Sequence, residues 1–455
     1  MYDLIILGGG PAGYLAAERA GHAGLRVALV EERALGGVCL NEGCIPTKTL
    51  LYSAKLYDSV AGGARYGVSA QGLSIDHQAV IRRKNKVVKT LVAGVKSKMR
   101  ANKVEVFASR GRITGKTQEA YAVQAGETLL TAKRLLIATG SVPAVPPIAG
   151  LKEGLARGFV LTSREMLDIS SVPARLCVIG GGVIGLELAS YFCTVGSRVT
   201  VVEMLDHIAG ENDRELSALL QDSLEKRGIT FFLGSRVTGI EEEGVRFEQD
   251  GESRLVAPDA VLLSIGRRAS TADLGLDAIG LATLRGAIEV DEHMRTGLPG
   301  VYAAGDVTGF SMLAHTAYRE AEVAVNDILG KPDRMRYEAV PAILYTNPEL
   351  ASVGLTEASA AARGLPCQTV RLPLRYSGRY LAENEGGNDM MKLLVSPDTQ
   401  QVLGAQVLAN YASEFIVVAG TWIQMGLTLE EIRKTIFPHP TVAEILREAI
   451  FAIEE

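Results

Sequence analysis

A seven-residue glycine pattern occurs twice in this chain, 172 positions apart, and it restricts the fold more than any other feature. Leu7–Gly8–Gly9–Gly10–Pro11–Ala12–Gly13 matches Ile179–Gly180–Gly181–Gly182–Val183–Ile184–Gly185, and the copies stay in register without a gap. Ala17 falls on Ala189, Gly24 on Gly196, Arg26 on Arg198, Val27 on Val199 and Glu31 on Glu203. Each copy reads apolar run, G-x-G-x-x-G turn, helical pattern, second apolar run, and an acid 18 residues past the last glycine. One such turn alone is weak evidence. With its strand, helix and acid in place it predicts a strand–helix–strand unit that binds a dinucleotide. The first glycine makes the tight turn, the second lets the backbone approach a pyrophosphate, and the third lets helix and strand pack closely. The helix start offers its N–H groups to the phosphates, and the acid accepts hydrogen bonds from ribose hydroxyls. Gly8, Gly10, Gly13 and Glu31 are therefore expected to hold one dinucleotide, and Gly180, Gly182, Gly185 and Glu203 a second. The simplest pair is FAD and a nicotinamide.

At 455 residues the chain has room for about three domains. Its 47% hydrophobic and 22% charged residues exclude disordered and fibrous classes. A net charge of -5 argues against a nucleic-acid binder. Five cysteines are too few for a secreted disulfide framework. The chain starts in an apolar strand without a basic leader, so no signal peptide and a cytoplasmic location are expected. Leu176–Gly196 has the length of a membrane helix with a single charge, Glu187. Its glycines split it into strand, turn and buried helix, so no membrane span is expected. Val80–Lys103 carries nine basic residues and no acid. Its apolar spacing predicts an amphipathic helix with a solvated basic face.

A proline-rich linker, Ser141–Gly150, separates the two copies and follows the strand-and-turn Leu135–Gly140. A second strand-and-turn occurs at Gly300–Asp306, before a helical pattern from about Ala314 to Leu329. From about Arg336 short strands and helices mix without a glycine fingerprint. That segment must do something else, such as dimerise or complete a site.

Cys39 and Cys44 lie in Gly36–Gly37–Val38–Cys39–Leu40–Asn41–Glu42–Gly43–Cys44–Ile45–Pro46–Thr47–Lys48, just after Glu31. Their spacing fits a pair facing each other across one helical turn. As a structural disulfide the pair would close a tiny loop worth only about 2 kcal/mol, which a large chain does not need. A zinc half-site would want a second Cys or His pair, and Cys177, Cys193 and Cys367 are scattered. Cys177 and Cys193 fall in apolar patterns and read as buried fillers. A redox dithiol remains.

The segment G-G-x-C-x-N-x-G-C-x-P-T-K resembles the redox-active motif of the class I pyridine nucleotide–disulfide oxidoreductases. The resemblance runs along essentially the whole chain. It includes Ala138–Thr139–Gly140, Gly305–Asp306, Tyr345–Thr346–Asn347–Pro348–Glu349 and His439–Pro440–Thr441–Val442–Ala443–Glu444. It implies an α/β fold with two Rossmann-like dinucleotide-binding domains, for FAD and NAD, plus a C-terminal α+β dimerisation domain. The implied boundaries are 1–144 for the first part of the FAD domain, 145–265 for an inserted NAD domain, 266–335 for the second part of the FAD domain and 336–455 for the interface domain. The resemblance further implies an obligate homodimer that oxidises a protein-bound dihydrolipoyl group with NAD+. The partner would be a lipoyl-bearing protein of a 2-oxo acid dehydrogenase or glycine cleavage system.

Site roles follow from the same resemblance. Cys39 is expected as the interchange sulfur and Cys44 as the sulfur beside the flavin. Lys48 would lie at the flavin and pair with Glu187. Thr139, Gly140, Asp306, Ala314 and Gly111 would also contact FAD, while Val237 and Gly266 would line the NAD site. His439 stands between prolines with Glu444 five residues on, which fits a histidine base oriented by an acid. In the family this pair comes from the other subunit. Pro438 before His439 and the stretch Gly266–Arg267–Arg268–Ala269–Ser270 depart from the usual pattern. The alternative expectation is an NAD(P)H-dependent reductase of another low-molecular-weight disulfide. Glu203 favours NAD over NADP, since Val199–Asp213 holds no Lys or Arg.

Overall fold

The structure is a computed structural model and describes residues 1–453. The chain forms two compact units, each assembled from three segments. The first comprises Met1–Leu50, Gln78–Val145 and Gly266–Arg336; the second comprises Leu51–His77, Pro146–Ile265 and Tyr337–Glu455.

The first unit is built on a seven-stranded sheet. Tyr2–Leu7 lies centrally and pairs in parallel with Val27–Val30 on one side and Thr128–Ile137 on the other. Glu105–Phe107 extends the Val27–Val30 edge. The ten-residue strand Thr128–Ile137 is shared. Its first half pairs antiparallel with Tyr121–Ala125, and its last three residues pair in parallel with Val301–Ala303. Buried β-branched and aliphatic runs such as Leu4–Leu7 and Val27–Val30 suit strands covered on both faces. Where the chain leaves this unit and where it returns, Ser141–Pro143 and Arg267–Ala269 pair antiparallel. The Ala144 amide bonds the Gly266 carbonyl beside them.

The second unit repeats the parallel arrangement. Its strands run in the order Thr230–Phe232, Arg198–Val202, Arg175–Ile179, Ala260–Leu263 and Val160–Leu161. An antiparallel meander, Arg236–Ile240, Val245–Gln249 and Glu252–Val256, forms a separate sheet whose Ile240, Val245 and Phe247 pack into the same core. The C-terminal segment forms a five-stranded antiparallel sheet whose central strand, Val402–Ala409, lies between Glu349–Gly354 and Met390–Val395. The helices Ala412–Met425 and Glu444–Phe451 cover it, and Phe415, Trp422, Leu446 and Ile450 fill the core between. Leu176–Gly196 forms a strand, a glycine turn and the 12-residue helix Val183–Thr194. Among the described residues no helix is long and apolar enough to cross a membrane. The basic segment lies in the helix His77–Ala101, with most of its cations exposed and Lys84 buried.

Candidate active site

The strands of the first unit end side by side. Leu7 is level with Val30 and Ile137, and Ile137 with Ala303. The turns that follow carry Gly8, Glu31, Thr139–Gly140 and Asp306. These residues thus gather at the carboxyl edge of a parallel sheet, where open α/β folds bind ligands. Gly111 sits at the same end: a Cβ there would lie 2.7 Å from Leu7 and 3.0 Å from Val30. Ala314 opens the helix Ala314–Ile328.

Sterics explain the glycines. Gly8 has φ +102°, and a Cβ on it would lie 2.3 Å from the Ala138 carbonyl oxygen. One on Gly13 would lie 1.8 Å from the Gly8 oxygen. The second copy repeats this: Gly180 has φ +106°, a Cβ on it would lie 2.3 Å from Ser264 O, and one on Gly185 would lie 2.2 Å from Gly180 O. The middle glycines face open space instead. Nothing lies within 4 Å of a Cβ on Gly182, and only the Gly37 Cα, at 3.7 Å, lies near one on Gly10. No side chain caps either helix start. Room for a phosphate and amides to receive it are therefore present in both copies.

The two acids do more than the sequence suggests. Glu31 accepts the Gly9 amide at 2.7 Å and the Arg33 amide at 2.7 Å. Glu203 accepts the Gly181 amide at 2.6 Å and the Leu205 amide at 2.7 Å. Each acid fastens its own glycine turn. A carboxylate has about four acceptor positions, so capacity for ribose hydroxyls remains.

Cys39 lies in the short helix Gly37–Glu42 and Cys44 opens the helix Cys44–Ala61. The spacing predicts one continuous turn, but Gly43, at φ −146° and ψ −111°, leaves the helical region and breaks it. The thiols still meet, and Cys39 is pushed far above the ordinary thiol range. The hydrogen bond with Cys44 is the main cause, followed by burial and the Cys44 charge; Lys48 opposes the shift and Asp306 adds to it. The pair rests against the first glycine turn, since a Cβ on Gly37 would lie 2.5 Å from the Gly10 Cα. Cys177 is fully buried in its strand, and burial pushes its thiol up to about 12.

Several groups at this edge escape a sequence reading. Ser141 Oγ donates to Asp306 at 2.5 Å, and Arg267 donates to Ser141 Oγ at 2.7 Å. Thr139 Oγ1 donates to the Ser270 carbonyl at 2.7 Å. Glu320 is fully buried and accepts the Gly305 amide at 2.6 Å. An acid on the buried face of a predicted helix was the one available signal. Tyr14 and Tyr318 share a hydrogen bond between their hydroxyls.

The second unit holds the other candidates. Glu187 is buried in the helix Val183–Thr194 and accepts the Tyr345 amide at 3.0 Å. Val237 is half-buried in its strand, packed against the core of the parallel sheet. His439 Nδ1 lies 2.7 Å from Glu444 Oε1, and the Thr441 amide donates to Glu444 Oε2 at 2.7 Å. Burial works to raise the Glu444 carboxyl, but the Thr441 and His439 bonds outweigh it and hold the group below its ordinary range. An ionised Glu444 only accepts, so Nδ1 carries the proton and Nε2 is left as a base. His439 is 77% exposed. The cysteine pair lies in the first unit and the His439–Glu444 pair in the second.

The chain is similar to known proteins along its length. The family model described as pyridine nucleotide-disulphide oxidoreductase matches residues 2–321, and the dimerisation domain of that family matches residues 340–450. A dihydrolipoyl dehydrogenase from Chlamydia muridarum is 39% identical, covering 100% of this chain and 97% of its own. Among solved structures, LpdA from Mycobacterium tuberculosis aligns with a TM-score of 0.90 at 28% identity over 99% of both chains. The HOCl-induced flavoprotein disulfide reductase RclA from Escherichia coli aligns with a TM-score of 0.86 at 29% identity over 100% of both. With two domain models and full-length relatives in agreement, the chain belongs to the pyridine nucleotide-disulphide oxidoreductase family.

Proposed function

We propose that the chain is a cytoplasmic dihydrolipoyl dehydrogenase, oxidising a protein-bound dihydrolipoyl group to its cyclic disulfide with NAD+. The observation that carries this reading is the contact between Cys39 and Cys44 beside the first glycine turn. The full-length relatives named dihydrolipoyl dehydrogenase support the substrate. FAD would be held by Gly8, Gly10, Gly13, Glu31, Lys48, Gly111, Thr139, Gly140, Asp306 and Ala314. NAD would be held by Gly180, Gly182, Gly185, Glu203, Val237 and Gly266. Bound FAD and NAD+ supply the two-electron relay from the dithiol to the nicotinamide.

The chain's own residues do the sulfur chemistry. A thiol attacks a disulfide only as thiolate, and a thiol of ordinary pKa near ~8.5 is mostly protonated at neutral pH. His439 Nε2 takes the proton of the substrate thiol, and Glu444 stabilises the imidazolium through Nδ1–H. Both cysteines are free thiols in this structure; in the oxidised form, with Cys39 and Cys44 joined as a disulfide, the substrate thiolate attacks Cys39, the Cys39–Cys44 bond breaks and Cys44 leaves as thiolate, giving a mixed disulfide. The second substrate thiolate then closes the cyclic disulfide and releases Cys39. Lys48 keeps a positive charge beside the dithiol. In a homodimer the partner's His439 and the partner's Glu444 complete each site. The lipoyl-bearing protein of a 2-oxo acid dehydrogenase or glycine cleavage system is the partner.

The likeness to RclA favours a second reading, an NAD(P)H-dependent reductase of another low-molecular-weight disulfide. One assay separates them. Turnover of NAD+ with dihydrolipoamide, exceeding that of NADPH with oxidised glutathione, supports the first reading; the reverse order overturns it.

A further inference from the structure

One face of the helix His77–Ala101 has no role in that scheme. The helix carries no acid, although the chain as a whole has a net charge of -5. Lys86, Lys89, Lys96 and Arg100 are exposed on it. At 3.6 residues per turn these four fall within about 80° of the helix circumference, and they extend along it for about 21 Å. Among the described residues their side chains make no hydrogen bond or ion pair. Val80, Val95 and Met99 point the other way and are buried. Lys98, off this line, is paired with Glu18 at 3.1 Å.

The helix belongs to the same unit as the cysteine pair, and its packing ties it to that site. Near its start Arg83 donates to the Thr49 carbonyl at 3.4 Å, and Thr49 stands in the helix that Cys44 opens. Just past its end the Asn102 carbonyl would lie 2.5 Å from a Cβ on Gly21, in the helix of the first glycine turn. The helix thus reaches from the cysteine helix to the first nucleotide helix, with its cationic line open to solvent. Four like charges held in a row without counter-charges cost the fold self-repulsion and attract an acidic surface.

The chemistry of the face selects among acidic occupants. Single-stranded nucleic acid is gripped by cations interleaved with aromatic rings, and His77–Ala101 contains no Phe, Tyr or Trp. A membrane-surface helix sets exposed apolar side chains beside its cations, whereas Val80, Val95 and Met99 are spent on the core. A second copy meeting the same face across a two-fold axis would set cations on cations. A protein that must bring a dithiol to Cys39 and Cys44 has to settle close to the cysteine helix. We propose that the face formed by Lys86, Lys89, Lys96 and Arg100 docks an acidic face of the lipoyl-bearing domain. The inference rests on the dihydrolipoyl reading above and adds to it the surface that receives the carrier. Exposed charges of this kind steer encounter and set its salt dependence more than they hold the complex together.

The test compares two substrates of the purified holoprotein: free dihydrolipoamide, and a reduced lipoyl-bearing domain of net negative charge. The variant reverses three charges, Lys86→Glu, Lys89→Glu and Lys96→Glu. A control with Lys152→Glu, Lys226→Glu and Lys331→Glu makes the same change in net charge away from this helix. For the lipoyl-bearing domain, kcat/KM is expected to fall at least about tenfold in the first variant, the low end of electrostatic steering. The loss should lie in KM, and the control should stay within about twofold of the unaltered protein, a small part of that steering range. Free dihydrolipoamide should turn over equally in all three proteins. Raising ionic strength from ~0.01 M to ~0.15 M shortens the screening length from about 30 Å to about 8 Å. It should slow the unaltered protein with the domain and leave the variant nearly unaffected. An unchanged KM for the domain overturns the proposal, as does an equal loss with free dihydrolipoamide or in the control. Tighter binding of single-stranded DNA or a phosphatidylglycerol vesicle through the same three lysines also overturns it. Docking is read separately by fluorescence anisotropy of the labelled domain. Binding that depends on the three lysines, with no turnover of either substrate, would count against the dihydrolipoyl reading alone.

Discussion

Nδ1 of His439 stands 2.7 Å from Oε1 of Glu444, while the other oxygen of that carboxylate holds the Thr441 amide. The acid therefore fixes both the tautomer of the ring and the backbone that presents it. Glu444→Gln keeps an acceptor for Thr441 but can offer Nδ1 an amide N–H, which selects the wrong tautomer. We expect kcat/KM with dihydrolipoamide to fall about 10²- to 10³-fold, within the usual worth of a general base. The thermal midpoint should change little. Activity within threefold of the unaltered protein would refute the assignment.

The proposed in-trans site makes a second prediction. Cys44→Ser and His439→Gln should each be inactive with dihydrolipoamide. A mixed dimer should contain one site with neither change, so remixed subunits should regain activity. If exchange is verified and no activity returns, each site is complete within one chain.

The C-terminal sheet contains a buried cation with an exacting set of partners. Lys392, only 3% exposed, bonds Asp213, Glu215 and Glu357 at 2.7 to 2.9 Å. Asp213 also caps the helix Arg214–Lys226 through the Glu215 and Leu216 amides. Lys392→Ala leaves a buried carboxylate unpaired, and losing one partner of such a pair costs about 3–5 kcal/mol. Urea unfolding should show that loss. Adding Asp213→Asn, which keeps a capping oxygen, should restore part of it; no recovery would place the damage in packing rather than charge.

These groups show where sequence legibility ends. The glycine turns were readable because their spacing is local and repeated; Gly13 and Gly185 answer clashes within their own turns, whereas Gly8 and Gly180 avoid carbonyls at the end of a neighbouring strand. The Cys39–Cys44 segment was readable for the same reason, although the break at Gly43 was not, since a lone glycine is compatible with a helix. Tyr14–Tyr318, Ser141–Asp306 and Lys392–Asp213 join residues more than 150 positions apart. No periodicity marks such pairs; the fold creates them. The bonds from Glu31 to Gly9 and from Glu203 to Gly181 are intermediate cases. The acids were visible, but their hold on the glycine turns required the geometry.

Asp389 supplies a pH-dependent prediction. Burial pushes its carboxyl from 3.8 up to about 6, with a weaker opposing bond from Tyr380. The folded state therefore binds this proton more tightly than the unfolded chain does. That stabilisation is complete below about pH 4 and is lost as pH rises through about 6. A shift of about two pH units corresponds to roughly 3 kcal/mol, reduced to about 1–2 kcal/mol by partial exposure. Asp389→Asn should raise unfolding free energy by that amount near pH ~8 and change little near pH ~4. Equal effects at both pH values would show that ionisation is not the cause.

The last prediction concerns the choice between NADH and NADPH. Glu203 fastens the second glycine turn through Gly181 and is the acid proposed to meet an adenosine ribose. The 2′-phosphate of NADP would meet this carboxylate with like charge. Two unit charges about 4 Å apart repel by about 4 kcal/mol at an effective dielectric near ~20, and salt reduces this. Even half is about thirtyfold in affinity. A nearby cation could cancel the effect, but Val199–Asp213 has no Lys or Arg. Arg214, the next residue, is bonded to Asp206 at 2.7 Å, and His207 is held between Asp206 and the Gly210 carbonyl. NADH should therefore exceed NADPH in kcat/KM by at least about tenfold. Glu203→Arg should narrow the gap, and because it also releases the Gly181 and Leu205 amides it should lower the thermal midpoint. Equal efficiency with both cofactors in the unaltered protein would show that Glu203 does not set the preference.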